Sequence, residues 1–242
     1  MDISSDTHSQ HISRQFNQEL EALKTQLMTM GGLVEQQVQE AIQALIDSDG
    51  RLAEKVRHRE RDVNAMQLKI DEECTRVLAR RQPAASDLRL VLAVIRGTSD
   101  LERIGDEASK IARNALTLIE SGNSVRGLVE VRHISEQVRR MLRDALTAFA
   151  RFDTELALQV VRDDDTVDDE YGSAMRSLVT FMMEDSRAIG SVLNVMGILR
   201  ALERVGDHAD NLAEYVIYLV KGLDIRHMDP DELDEDTLTR RG

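Results

Sequence analysis

Apolar residues recur along this chain at steps of three, four and seven, the spacing of helix faces, and strand-like alternation is absent. The first periodic run starts near Ser13. There Leu20, Leu27, Val34 and Ala41 stand seven apart, with Leu23 and Met30 in the adjacent row, a stripe that packs against parallel or antiparallel neighbours. Gly31 and Gly32 interrupt it; each costs about 1 kcal/mol relative to alanine inside a helix, so a kink or a close helix contact is expected there. Asp47, Ser48, Asp49 and Gly50 read as a turn. A second helix carries Val56, Val63, Ile70 and Val77 and stops near Pro83, because proline disfavours helix in the residue before it. A third runs from about Ala85 to Ser121, closed by Gly122 and Asn123.

The scheme then starts again. A fourth helix holds Ile134, Val138, Met141, Ala145 and Phe149. Asp153 caps a fifth, whose Val160, Val167, Ala174 and Phe181 repeat the sevenfold spacing of the second. A sixth extends from about Arg187 to Lys221 and ends at Gly222. The repetition is literal in one place: LERIGDEASKIARN, Leu101 to Asn114, returns 101 residues later as LERVGDHADNLAEY, Leu202 to Tyr215. Short loops favour antiparallel neighbours. The expected fold is therefore all-α, a tandem repeat of two antiparallel three-helix bundles with approximate internal twofold symmetry. Residues 13–122 and 123–223 form the bundles, after a mobile N-terminus (1–12) and before an acidic tail (224–242) too poor in apolar residues to fold alone.

Helical phase places the charges of the repeated segment. At about 100° per residue, Glu102 and Asp106 lie together along the edge of an apolar face, and Gly105, Ser109 and Ala112 sit between them and that face. In the second copy Glu203, Asp207, Asp210 and Glu214 stack at steps of four, three and four. Like charges four residues apart repel by a few tenths of a kcal/mol, which something must offset. A solvated acidic edge is one reading. The other is a cation site, warranted by a carboxylate pair, an adjacent glycine, and the recurrence of both in each half. Glu60 and Asn64 on the second helix, and Asp164 and Asp168 on the fifth, are placed to complete such sites. Oxygen donors of this kind favour Mg²⁺, Mn²⁺, Ca²⁺ or iron over a tetrahedral zinc site. His208 points about 100° away from Asp207 and is not expected as a ligand.

Composition narrows the function. A formal charge of −13 over 242 residues argues against nucleic acid and anionic lipid, which select basic surfaces. The single cysteine, Cys74, excludes an internal disulfide, fits a reducing compartment and reads as a small buried apolar group. The N-terminus lacks a secretory pattern, and the longest uncharged apolar run, Ala188 to Leu199, falls short of the ~20 residues of a bilayer span. A cytosolic protein that meets a membrane only through partners is expected. Zincin, phosphate-loop, dinucleotide and nucleophile-elbow motifs are absent, and Glu130 to His133 is the sole Glu-x-x-His, where di-iron bundles need two. Two classes remain: a metal-dependent helical-bundle enzyme, or a helical regulator or scaffold whose ions stiffen the bundles. The missing acid–base machinery favours the second.

Longer stretches carry a resemblance. Gln82 to Ile95 (QPAASDLRLVLAVI) feeding into SDLERIGDEASKIA, the second ERVGD with Asn211, Glu214 and Tyr215 downstream, the opening His11 to Val38, and Phe181 to Leu193 (FMMEDSRAIGSVL) are similar to the PhoU family of bacterial phosphate-uptake regulators. The resemblance implies two three-helix bundles, each with an E(D)xxxD motif that holds metal ions such as Fe, Mn, Zn or Mg. These map onto Glu102 with Asp106 and Glu203 with Asp207, Asp210 being a further candidate and Asp168 and Asn64 the fifth- and second-helix complements. It also implies a non-catalytic cytoplasmic protein, often a homodimer, peripheral to the inner membrane through its partners. Such a protein keeps the phosphate-starvation (Pho) response off by connecting the ATPase subunit of the Pst phosphate transporter to the PhoR histidine kinase. Because Asn64 stands where the second half has Asp168, and Arg113 where it has Glu214, weaker or absent metal is expected in the first half.

Overall fold

The computed structural model describes residues 4–122, 126–226 and 228, with side chains from Arg14 onward. Six α-helices account for nearly all of it: α1 (Ser4–Ile46), α2 (Gly50–Arg81), α3 (Ala85–Ser121), α4 (Leu128–Arg151), α5 (Thr154–Glu184) and α6 (Ile189–Lys221). A single 3₁₀ turn, Ser186–Ala188, links α5 to α6, and there is no strand among the described residues. The helix α1 begins at Ser4, nine residues ahead of the expected Ser13, so most of the stretch assigned to a mobile N-terminus is helical in its backbone. Asn123, like the tail from Asp229 onward, lies outside the described residues.

Each boundary has a local cause. The Asp49 carboxylate accepts from the amides of Arg51 and Leu52, and the Asp153 carboxylate from those of Glu155 and Leu156, so the same cap opens the second helix of each half. Gly122 and Gly222 close α3 and α6 in the left-handed conformation. The helix α2 ends with left-handed Gln82 before Pro83.

The copies superpose in sequence with two offsets. Buried Leu27, Met30, Val34, Val38, Ala41 and Leu45 of α1 match buried Val131, Ile134, Val138, Leu142, Ala145 and Phe149 of α4, each 104 residues on (131 − 27 = 104). Val56 and Val63 of α2 likewise match Val160 and Val167 of α5. In α3 and α6 the offset is 101, as Leu101 and Ile104 match Leu202 and Val205. The helices α3 and α6 lie side by side and antiparallel: Arg96 meets Tyr215, Asp100 meets Asn211, Glu107 meets Arg204, and Asn114 meets Gly197. As numbers rise on α3 they fall on α6, which is what a twofold between copies requires. Where α1 crosses α4, Glu35 bonds Arg143 and Lys24 stacks on Phe152; a Cβ on Gly31 would overlap the Leu146 side chain. The glycine pair thus permits close contact at Gly31 while α1 stays helical throughout, and Gly32 faces open space. One hydrophobic core runs through both bundles.

Candidate metal centre

In the second half, α5 approaches α6 at Gly206, where an added Cβ would come within 3.4 Å of Asp164 Oδ1 and 3.7 Å of Val167. That close approach brings the acids of the two helices together. Asp168 from α5 and Glu203 and Asp207 from α6 each offer an oxygen within 4.8 Å of the others. Around an octahedral Mg²⁺ ion ligand oxygens stand roughly 3.0–4.2 Å apart, so rotation of these side chains toward one another would bring the three onto one hard cation. Among the described residues no histidine or cysteine joins them. His208 is committed elsewhere, its Nδ1 2.8 Å from Asp100 Oδ1, so the donor set suits Mg²⁺, Mn²⁺ or iron better than zinc.

Burial and mutual repulsion raise these acids together. Burial, then Asp207 and Asp168, raise the carboxyl of Glu203; burial and Asp168 raise that of Asp207; burial, Asp165 and Asp169 raise that of Asp168. Two further carboxylates lie within charge range. Asp164 is pushed up to about 8 by burial and by Asp210, Asp207 and Asp168; Asp210 rises to about 7 by burial and the charges of Glu214, Asp207 and Asp165. The Oδ1 atoms of both are buried without a hydrogen-bond partner. Unpartnered buried acceptors among mutually repelling carboxylates are the arrangement a cation relieves. Burial also lifts Glu214 to about 7.

The first half carries the equivalent positions with less charge, and among the described residues no three of its acids bring oxygens within 4.8 Å of one another. Burial and Asp106 raise Glu102, burial and Glu60 raise Asp106, and Glu60 also acts on Glu102, so Glu60 joins the pair from α2. Asn64, at the place of Asp168, has its Oδ1 buried and unpartnered. Ser109 replaces Asp210 and bonds the buried Gln37, whose Nε2 also reaches the carbonyls of Val56 and Gly105, each at 3.3 Å. In the first copy a neutral amide from α1 thus meets a serine at the position that the Asp210 carboxylate holds in the second.

The phase argument did not find the polar seam between α3 and α6. There Asp100 accepts from Asn211 at 3.2 Å and pairs with His208, while Glu107, almost fully buried, takes Lys110 at 2.7 Å and Arg204 at 3.3 Å. The available signal was two acids one heptad apart on the flank of an apolar face.

Comparison with known proteins places these features. The PhoU domain model matches residues 27–115 and 131–216, whose starts differ by 104 and whose ends differ by 101, the offsets of the helices themselves. The chain is 57% identical over 240 residues, 99% of each sequence, to the "Phosphate-specific transport system accessory protein PhoU homolog" of Pseudomonas aeruginosa. It is 47% identical over 227 residues, 94% of each, to the protein named without "homolog" in Escherichia coli K12. The crystal structure of PhoU from Pseudomonas aeruginosa aligns with a TM-score of 0.84 at 60% identity, covering 86% of this chain and all of that one. The phosphate transport system regulatory protein PhoU from Streptococcus pneumoniae aligns at 0.80 and 28% identity, covering 86% and 98%. These relatives are named as accessory and regulatory proteins.

Proposed function

This chain belongs to the PhoU family, and from that premise we propose that it is a cytoplasmic negative regulator of phosphate uptake and of the phosphate-starvation response. In this reading it links the ATPase subunit of the Pst transporter to the PhoR histidine kinase, as a homodimer held near the inner membrane by those partners. What carries the reading is near full-length identity to an accessory protein of the phosphate-specific transport system. Consistent with it, none of the described helices is long and apolar enough to cross a membrane. Deleting the gene should leave alkaline phosphatase expressed in high phosphate; unchanged repression would refute the reading. Pull-down of the transporter ATPase and the kinase at high and low phosphate tests the link itself.

Divalent or ferric ions belong to the same proposal, at Asp168, Glu203 and Asp207, with Asp210 and Asp164 alongside. The gathering of three carboxylate oxygens supports it. The ion would supply positive charge that ties α5 to α6, and the chain's own residues would orient and desolvate it. Glu102, Asp106 and Asn64 form the weaker counterpart. Metal per chain should fall on Glu203→Ala with Asp207→Ala and hardly change on Glu102→Ala with Asp106→Ala. Equal anomalous signal in both halves would contradict the asymmetry, and metal-dependent turnover abolished by the first pair would replace the regulator with an enzyme.

A further inference from the structure

Each copy follows its first acid with an arginine: Glu102 with Arg103, and Glu203 with Arg204. The two arginines go different ways. Arg103, whose side chain is 63% exposed, turns back along α3 and sets its Nε 3.7 Å from Oε2 of Glu102. Arg204 instead reaches across the seam and places Nη1 3.3 Å from Oε1 of Glu107 on α3. Among the described residues Glu203 makes no ion pair, and the charges of Arg204 and Arg200 act on it only through space.

The cause lies one turn further along. Glu107 stands four residues after Arg103, whereas His208 stands four residues after Arg204. The twofold that sets Arg204 opposite Glu107 therefore sets Arg103 opposite His208. A histidine offers a guanidinium no carboxylate, and the Nδ1 of His208 is already 2.8 Å from Asp100. Arg103 is left with the acid beside it. The Glu107 side chain is only 6% exposed, so solvent screens its pair with Arg204 little; Lys110 is its other partner, at 2.7 Å.

We propose that Glu107 keeps the second half-site open to a cation by drawing Arg204 off Glu203, while Arg103 partly closes the first because His208 stands where the equivalent acid would be. An arginine seated on a ligand carboxylate takes lone pairs that the ion needs and sets a like charge beside it. The first copy shows that neighbours on one helix can close this pair. The acids in each half fix how much negative charge is present, and the arginine fixes how much of it is free. Glu107 meets no ion itself; it acts through Arg204 and is a positioning residue. The inference rests on the reading that Asp168, Glu203 and Asp207 hold a cation.

Mn²⁺ is the probe, counted on the full chain by equilibrium dialysis at low salt. Glu107→Gln keeps the side chain's shape and releases Arg204, so it should weaken the second-half site by about fivefold, the upper worth of an exposed ion pair. In an Arg204→Gln background the same change should move the affinity by less than about twofold, whereas a role in packing alone predicts equal weakening in both backgrounds. The arginines give an answer even where Glu107→Gln does not fold. Arg103→Gln should strengthen binding at Glu102 and Asp106 by about threefold, read in protein whose second half is silenced by Glu203→Ala with Asp207→Ala. Arg204→Gln alone should shift the second-half site by less than about twofold, since that arginine is not on Glu203. Wild type that takes up no Mn²⁺, or keeps all of it after Glu203→Ala with Asp207→Ala, removes the cation reading and this inference with it. Mn²⁺ bound by wild type but unmoved by Glu107→Gln, or weakened equally in both backgrounds, overturns this inference alone. So does Arg103→Gln without effect on the first half, or Arg204→Gln strengthening the second half as much as Arg103→Gln strengthens the first.

Discussion

Asp164 offers a test in which the sign, and not merely the size, of an effect is fixed by the structure. Its side chain is half-buried, one oxygen lacks any partner, and burial with Asp210, Asp207 and Asp168 raises its carboxyl to about 8. In the unfolded chain an aspartate titrates near 3.9. A carboxyl raised on folding contributes stability that is present below about pH 4 and is lost as the pH climbs through about 8. At 1.36 kcal/mol per unit, about four units bound the loss at roughly 5–6 kcal/mol. Solvent screening and the sharing of repulsion among neighbours reduce this to about 2–3 kcal/mol at pH 8. Asp164→Asn keeps the shape and removes the charge. In metal-free protein it should therefore stabilise by about 2–3 kcal/mol at pH 8, or roughly 5–10 °C in Tm, and by under about 0.5 kcal/mol at pH 4.5. Urea unfolding after dialysis against chelator, at both pH values, measures the difference. Saturating Mn²⁺ should shrink it by restoring wild type alone. An equal effect at the two pH values, or destabilisation at pH 8, would refute the argument.

Three other outcomes follow from packing. Gly127→Ala should cost about 2–4 kcal/mol in urea unfolding, because alanine is strained at φ +84° and its Cβ would press on Val195 and Leu178. Gln37→Met, which installs the residue that the second copy has at Met141, should change stability by less than about 1 kcal/mol. The carbonyls it frees already accept helical bonds, and the orphaned Gln37 Oε1 is removed. Cys74 is fully buried and its thiol is pushed up to about 12, so it should resist a disulfide reagent in the native state at pH 8 and react once urea unfolds the chain.

Much of the fold was legible because helix periodicity, caps and prolines act locally. The Asp153 cap, the stop at Pro83 and the closures at Gly122 and Gly222 each depend on a few adjacent residues. The pairing of Glu203 with Asp207 was legible for the same reason, since residues four apart share a helix face. That Asp168 reaches them was a guess about which helices pack, decided by the close approach at Gly206. The seam of Asp100, His208, Glu107 and Arg204 was hidden because it depends on which face of α3 meets α6, and that register is tertiary. The start of α1 was not legible from periodicity. Residues 4–13 lack the apolar stripe on which periodicity relies, while the helix they extend is anchored further along by Leu20 and Leu23.

The departures from symmetry are not scattered. Asn64, Ser109 and Arg113 of the first copy become Asp168, Asp210 and Glu214 in the second, and buried Gln37 becomes Met141. In the first copy the Gln37 amide donates to the carbonyls of Val56 and Gly105 and to the Ser109 hydroxyl, so it ties α1 to α2 and α3. In the second copy the buried oxygens of Asp164 and Asp210 lie unpartnered among mutually repelling carboxylates, a repulsion that a bound cation would relieve.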